Sequence, residues 1–544
     1  MTNENANSEI RNPKSEIPPR VLVCDPLGTA GIELLQQHAT VDVKTGLNEA
    51  ALIDIIGNYS AMVVRSGTRV TSAVIDAASK DLQVIGRAGV GTDNIDIDAA
   101  TRRGIIVVNS PTANTIAAAE QAIALMLAVA RQVPQADGSL RQGRWERKKF
   151  VGVEVRNKVL GIIGLGRIGT EVAKRAQGLE MKIIAYDPYV SADHAARYDV
   201  QFMDLPSLLQ KADFITLHTP LTPDTRNMIN EETLAMMKPS ARLINCARGG
   251  LIDEEALLKA LDEGKIAGAA LDVFSQEPPP ADHPLLHHPK VIVTPHLGGS
   301  TEEAQAGVAL DIAEQVITVL EGRLPKHAVN APIVSAETLD ALVPYFDLAQ
   351  RLGRFYTQIA PGRRIERVRI VYSGELAQVD TTPIKAAVVK GLLESIIEER
   401  VNLVNAHVIA KTRGLSLIEE KHSGAEPFAN VITLEVTANG QERSIAGTVM
   451  RGMPHVVRVD EYWIDLVPDG YLLVCYNEDR PGMIGQVGTI LGRGDINIAF
   501  MQVGRVVPRG RAMMVLGLDE PIPDPVLEQV LAVPGLYDVT QVKM

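Results

Sequence analysis

The chain has 544 residues, 46% hydrophobic and 22% charged, the balance of a globular protein with room for about three or four domains. A formal net charge of -12 argues against general nucleic-acid binding, which needs a basic face, but leaves room for a local basic pocket that takes a small anion. The three cysteines, Cys24, Cys246 and Cys475, are far apart and form no C-x-x-C, so neither a disulfide framework nor a metal site is indicated, and a reducing, cytoplasmic compartment fits.

Residues 1–19 are polar, rich in proline and without an apolar core, and read as a disordered tail rather than a signal peptide. From Arg20 short apolar strands alternate with helical stretches: Val21–Cys24, then a helix over Gly31–His38, then strands at Ala61–Val64, Leu82–Ile85 and Ile105–Val108. This alternation predicts a parallel doubly wound sheet, in which ligands bind beyond the carboxyl ends of the strands. Arg65, Ser66, Gly67 and Arg87 stand at such ends and suggest an anion pocket. The apolar run Ile116–Ala130, broken by Glu120 and Gln121, is too short to span a bilayer and reads as a core helix. After it comes a basic arm around Trp145, with Arg144, Arg147, Lys148 and Lys149, suited to an anionic substrate in this chain or a neighbouring copy.

The next stretch is the most informative. The strand at Val159 runs into Gly164-x-Gly166-x-x-Gly169, a helix follows, and the strand from Met181 ends on Asp187. Gly164 permits a tight turn, Gly166 lets backbone approach a pyrophosphate, Gly169 lets the helix pack closely, and the helix N-terminus attracts the phosphates. Asp187 stands where a carboxylate accepts ribose hydroxyls and repels a 2′-phosphate, so NAD is favoured over NADP. Further strands are predicted at Phe214–Leu217, Arg242–Asn245, Ala267–Asp272 and Val291–Val293. Their strand ends carry Arg248, Glu277 and His296. A guanidinium to grip a carboxylate, an imidazole to exchange a proton with a carbinol oxygen and a carboxylate to orient that imidazole together suit hydride transfer on a 2-hydroxy acid.

Pro332–Val343 loosens the pattern and reads as a linker. Beyond it, Lys385–Glu399 reads as a helix, and Val431–Thr437 and Arg443–Val449 as a hairpin around Asn439-Gly440. The last 75 or so residues read βαββαβ, a ferredoxin-like order. The turn Asp479-Arg-Pro-Gly482 with Gly494-Asp-Ile-Asn497-Ile498 resembles the ACT domain, a small-molecule regulatory module. There Asp479 and Asn497 could clasp an amino acid, although Asn477 stands where some relatives have Tyr or His.

Taken together, Gly161–Gly169, Leu243–Gly250, Leu271-Asp-Val-Phe, Glu277-Pro278 and Thr294–Gly299 resemble the D-isomer-specific 2-hydroxyacid dehydrogenases. The resemblance implies a substrate domain (20–113 and 301–331) split by an NAD-binding Rossmann domain (114–300), then an α+β intervening domain (332–467) and an ACT domain (470–544). The fold class is thus α/β, with a flavodoxin-like and a Rossmann sheet before the α+β and ferredoxin-like parts. It implies catalytic roles for Arg248, Glu277 and His296. It places cofactor contacts at Val90, Gly164, Gly166, Arg167, Ile168, Gly169, Asp187, Thr219, Cys246, Ala247, Asp272, Leu297, Gly298 and Gly299. Substrate contacts would come from Arg65, Ser66, Gly67, Arg87, Asn94, Asn114 and Arg147, and regulatory ones from Asn477, Asp479, Asn497 and Ile498. Val64–Thr68, Gly86–Gly89 and the basic arm are similar to the long branch that oxidises 3-phosphoglycerate to 3-phosphohydroxypyruvate on the way to serine. In that branch paired ACT domains bind L-serine edge to edge, so a homodimer or homotetramer is implied. A hydroxypyruvate or glyoxylate reductase, and an NAD-sensing regulator on the same scaffold, remain as alternatives.

Overall fold

Runs of Val, Ile and Leu too short for helices pair into a first sheet of β1 (Arg20–Val23), β2 (Thr40–Val43), β3 (Ala61–Val64), β4 (Val84–Arg87) and β5 (Ile106–Asn109). All are parallel, in the order β2-β1-β3-β4-β5, the flavodoxin-like winding. The computed structural model describes residues 18–544 except 192–196, 332–335, 361, 363, 398–400 and 425–426, so the tail read at 1–19 lies almost wholly outside the described residues. Two details differ from the sequence reading. β2, a half-exposed Thr-Val-Asp-Val edge, was too polar to stand out. β4 runs two residues later than the apolar run suggested, because Leu82 belongs to the turn and packs into the core while Arg87 closes the ladder opposite Asn109.

The second sheet holds β6 (Val159–Ile163), β7 (Lys182–Tyr186), β8 (Gln201–Phe202), β9 (Phe214–Leu217), β10 (Arg242–Asn245), β11 (Gly268–Leu271) and β12 (Val291–Val293). Its parallel order β12-β11-β10-β9-β6-β7-β8 reverses between β6 and β9, the Rossmann switch point. The chain crosses into this sheet along the helix Thr115–Arg131, which packs on β10, β11 and β12. It returns along Glu302–Leu320, which packs on β3, β4 and β5. Ala328 then bridges to Val108, and Asn330 bonds the Val107 N–H and the Ile105 carbonyl, which fastens the returning segment to the first sheet.

A third, mixed sheet comprises β13 (Ile365–Gly374), β14 (Ser416–His422), β15 (Asn430–Ala438), β16 (Gln441–Met450), β17 (Met453–Val459) and β18 (Tyr462–Leu466) in the order β14-β13-β15-β16-β17-β18. Asn439 and Gly440, at φ 49° and 72°, make the expected hairpin turn between β15 and β16. The linker reading needs correction. A helix begins at Ala336 and runs to Ile359 with Pro344 inside it, so Ala336–Val343 are helical; 332–335 lie outside the described residues. The helix expected at Lys385–Glu399 runs Thr382–Leu393, with Pro383 in its first turn.

The fourth sheet, β19 (Tyr471–Glu478), β20 (Ile498–Arg505), β21 (Arg511–Leu518) and β22 (Leu536–Lys543), is antiparallel in the order β20-β21-β19-β22, the ferredoxin-like arrangement. Helices Met483–Arg493 and Asp524–Leu531 cover one face. The other face, with Leu472, Val474, Met513 and Val515, shares one core with Leu352, Tyr356 and Ile464 of the preceding part. Gln358 adds backbone-like bonds to both the N–H and the carbonyl of Lys543.

Helices Ala336–Ile359 and Thr382–Leu393 touch backbone to backbone where Gly353 and Gly391 face each other: a Cβ on Gly391 would stand 2.0 Å from the Gln350 carbonyl oxygen. Gly391→Ala should therefore lower stability by about 1–3 kcal/mol through overpacking. A denaturant midpoint equal to wild type would refute that packing.

Candidate active site

At the switch point β6 turns at Gly164, whose φ of 95° and whose approach to His218, where a Cβ would stand 2.7 Å from the carbonyl oxygen, admit only glycine. A Cβ on Gly169 would lie 2.1 Å from the Gly164 carbonyl oxygen, so the helix Arg167–Gly178 is drawn onto the turn. Gly166 opens that helix without a side-chain cap, and a Cβ there would meet nothing within 4 Å. Free N–H groups at a positive helix end, facing open space, fit a pyrophosphate. The Asp187 carboxylate accepts the Leu165 and Tyr189 N–H groups, each at 2.9 Å, and its oxygens retain lone pairs for ribose hydroxyls. Arg167 donates to the Pro111 carbonyl at 3.4 Å, beside Ile168. Around the crevice, the Val90 carbonyl accepts from Asn109, Thr219 lies 3.9 Å from the Met228 sulfur, and the Ala247 N–H donates to Asn245. Burial pushes the Cys246 thiol up out of the physiological range.

Beyond the ends of the neighbouring strands β10, β11 and β12 come Arg248, Glu277 and His296. His296 Nδ1 is 2.7 Å from Glu277 Oε2, which turns Nε2 away from the carboxylate. Glu277 Oε1 accepts the Phe274 N–H at 3.1 Å. Burial would raise the Glu277 carboxyl, but the bond to His296, the Phe274 N–H and the nearby Arg248 charge outweigh it and hold it below its ordinary value. His296 itself has φ 52°, a conformation that is strained for a side chain of its size and common at working sites. The turn is fixed from below: Asp272, 1% exposed, accepts the N–H groups of Leu297 and Gly298 at 2.8 Å and the Thr294 hydroxyl, and its carbonyl accepts the His296 N–H.

Facing His296 across the two halves is a cavity of about 220 Å³ that includes Arg65, Ser66, Arg87, Asn114, Glu277, His296 and Gly299 in its lining. Burial, with the charges of Arg248 and Arg65 close by, pulls the Arg87 guanidinium down to about 10, and its Nε has no partner. Asn114 Oδ1 is likewise buried without a partner. Arg248 rests over Gly91, with Nε 3.4 Å from Asp93. Cations crowded this way, one of them with an unpaired N–H at Arg87 Nε, form a receptor for an anion. Gly67 presses against the Asp25 carboxylate, which accepts the Arg65 N–H at 2.6 Å.

Some predicted residues lie elsewhere. The Asn94 amide donates to the carbonyls of Arg65 and Thr68 at 2.7 and 2.6 Å, so it braces the substrate loop and does not line the cavity. Arg147 is exposed on the basic arm and does not reach the cavity within one chain. Asp479 and Asn497 do not meet within one copy. Asp479 follows the end of β19, whereas Asn497 precedes β20 beside the start of β19, which separates them by about 25 Å at strand spacing. Asp479 accepts from the Arg509 N–H and from Arg505, Asn497 donates to Asp519, and Ile498 opens β20. Asn477, 5% exposed, donates to the Glu478 carbonyl and leaves its Oδ1 buried without a partner. The sequence reading missed Asp25, which the strand-end rule could have found after β1, and Gln305, which lines the cavity from the first turn of a helix and gave no local signal.

Known proteins share these features. The family model for the D-isomer specific 2-hydroxyacid dehydrogenase NAD binding domain matches residues 123–298. The D-3-phosphoglycerate dehydrogenase intervening domain matches 341–460, and the ACT domain matches 471–535. The chain is 48% identical over 527 residues to the D-3-phosphoglycerate dehydrogenase of Synechocystis sp., covering 96% of this chain and 95% of that one. It is 48% identical over 526 residues to that of Methanocaldococcus jannaschii, covering 96% and 100%. A crystal structure from Thermus thermophilus superposes with a TM-score of 0.53 at 38% identity, over 57% of this chain and 99% of that one. The chain belongs to the D-3-phosphoglycerate dehydrogenases, the long branch of the NAD-dependent D-isomer specific 2-hydroxyacid dehydrogenases.

Proposed function

We propose that this chain oxidises 3-phospho-D-glycerate to 3-phosphohydroxypyruvate, the entry to serine synthesis, with His296 as the acid/base. The observation that carries the reading is that Arg65 and Arg87 line one cavity with the His296–Glu277 pair, with the Arg248 charge close beside Arg87. A substrate with a carboxylate and a phosphate neutralises such a cluster. Glyoxylate or hydroxypyruvate brings a single anionic group and leaves part of the charge uncompensated.

The chemistry follows from the side chains. NAD, whose phosphates fit the open helix end at Gly166, supplies the hydride acceptor. Arg248 grips the substrate carboxylate with its planar fork. Arg65 and Arg87 neutralise the phosphate, and Asn114 offers its free carbonyl oxygen to a substrate hydroxyl. His296 Nε2 takes the proton of the 2-hydroxyl as the carbonyl forms, and returns it in the reverse direction. Glu277 keeps the ring oriented and stabilises the charge it gains. Arg147 would serve the substrate of a neighbouring copy.

This reading assigns 20–113 with 301–331 to substrate, 114–300 to NAD, 332–467 to the intervening part and 470–544 to the ACT domain, after a tail of 1–19. Self-association, as a dimer or a tetramer, is supported by the exposed apolar side chains Val133, Leu140, Trp145 and Val151 beside the basic arm. No single helix among the described residues is long and apolar enough to cross a membrane, and we place the enzyme in the cytoplasm. L-serine is the proposed effector, held between two ACT domains by Asp479 of one copy and Asn497 of the other.

His296→Asn should cut turnover by about 10²–10⁴-fold, the usual worth of a positioned acid/base. NADH affinity, read by fluorescence, should hardly change. Turnover that survives the substitution would remove His296 from the mechanism. Millimolar L-serine should slow the wild-type enzyme and leave Asp479→Ala unaffected; equal inhibition of both would move the effector site away from this turn.

A further inference from the structure

The loops that hold the substrate arginines meet at one short helix, Ile97–Arg102. Just before it, Asn94 ties down the carbonyls of Arg65 and Thr68. In the same loop Gly91 and Asp93 lie against Arg248, where a Cβ on Gly91 would stand 2.3 Å from Nη2. One loop therefore sets the position of Arg65 from one domain and of Arg248 from the other. Asp96 caps the helix by accepting the Ala99 N–H, which fastens the loop to the start of a helix about 9 Å long.

The far end of that helix turns into β5 at Gly104, whose φ is 68°. Here the intervening part of the chain reaches across. Asn402 Nδ2 donates to the Gly104 carbonyl, and a Cβ on Gly104 would come within 2.7 Å of the Asn405 amide. The two asparagines brace each other: Asn402 Oδ1 accepts the N–H groups of Val404 and Asn405, and Asn405 Oδ1 accepts the Asn402 N–H at 2.8 Å. The Asn402 amide is thus pre-set, on a turn whose following helix, Ala406–Thr412, packs on Ile97–Arg102. No residue of this turn lines the substrate cavity.

We propose that Asn402 is a positioning residue for substrate binding: its amide, donated to Gly104, holds the helix Ile97–Arg102 so that Arg65 and Arg248 keep the spacing that two anionic groups of one substrate require. The role rests on the substrate reading above. It gives the intervening part a direct hold on substrate affinity, through a contact at the opposite end of the helix from the cavity.

The test uses the full-length enzyme with Asn402→Asp. The substitution keeps the oxygen that accepts from Val404 and Asn405, and replaces the donor to Gly104 by an oxygen that repels its carbonyl. The KM for 3-phosphohydroxypyruvate should rise about two- to thirty-fold, while kcat and the NADH dissociation constant stay near wild type. Amide hydrogen exchange should quicken in 97–107 and not in the nucleotide crevice. Gly104→Ala, which attacks the same joint from the other side, should show the same split. Wild-type KM in both variants would overturn the proposal, and so would parallel losses of kcat, NADH affinity and exchange protection throughout the chain, the mark of a merely structural contact. A wild-type enzyme that fails to reduce 3-phosphohydroxypyruvate would instead refute the substrate reading, and this role with it.

Discussion

Like charges held close together constrain everything around the cavity. Arg65, Arg87 and Arg248 sit near enough for burial and mutual repulsion to pull the Arg87 guanidinium down to about 10. Such a cluster survives because rigid backbone holds each member: the Asp25 carboxylate and the Asn94 amide for the Arg65 loop, the β4–β5 ladder for Arg87, and the Asn245 side chain, which donates to the Arg248 carbonyl at 2.9 Å. The stored repulsion is relieved when an anion enters, so affinity for a doubly anionic substrate is built into the resting protein.

Topology brings these groups together from distant parts of the chain. The first sheet is interrupted after β5, a complete Rossmann sheet is inserted, and the helix Glu302–Leu320 returns to pack on β3, β4 and β5. The carboxyl ends of both sheets then face one cavity. One sheet brings Arg65 and Arg87, and the other brings Glu277 and His296, with Arg248 close beside Arg87. Neither half lines the cavity alone. The C-terminal half reaches this assembly through the asparagine turn at Gly104, while the shared core under the ACT sheet binds its own two parts together.

Much of this was legible in the sequence because it is local. Three glycines at fixed spacing between a strand and a helix announce a phosphate crevice, and the contacts of Gly164, Gly166 and Gly169 give each the task its position suggested. Residues just past apolar runs could be assigned to the working edge of a parallel sheet, which is how Arg65, Arg87, Arg248, Glu277 and His296 were found. What escaped was non-local or polar. β2 is a half-polar edge strand, and Gln305 reaches the cavity from a helix whose pattern reports only its buried face. Asp479 and Asn497 are 18 positions apart in a motif that looks continuous, yet the sheet sends them to opposite ends. The linker read at Pro332–Val343 was too long because the apolar pattern loosens there, yet the chain is already helical from Ala336 and carries Pro344 within the helix.

The central claim is that the arginine cluster selects a substrate bearing two anions. It is tested most directly by comparing kcat/KM for NADH-dependent reduction of 3-phosphohydroxypyruvate and of hydroxypyruvate, which differ only in the phosphate. A buried charge partner is worth about 3–5 kcal/mol, so the phosphorylated compound should be preferred by at least about a hundredfold. Equal efficiency with the two would contradict the assignment of Arg65 and Arg87 to the phosphate.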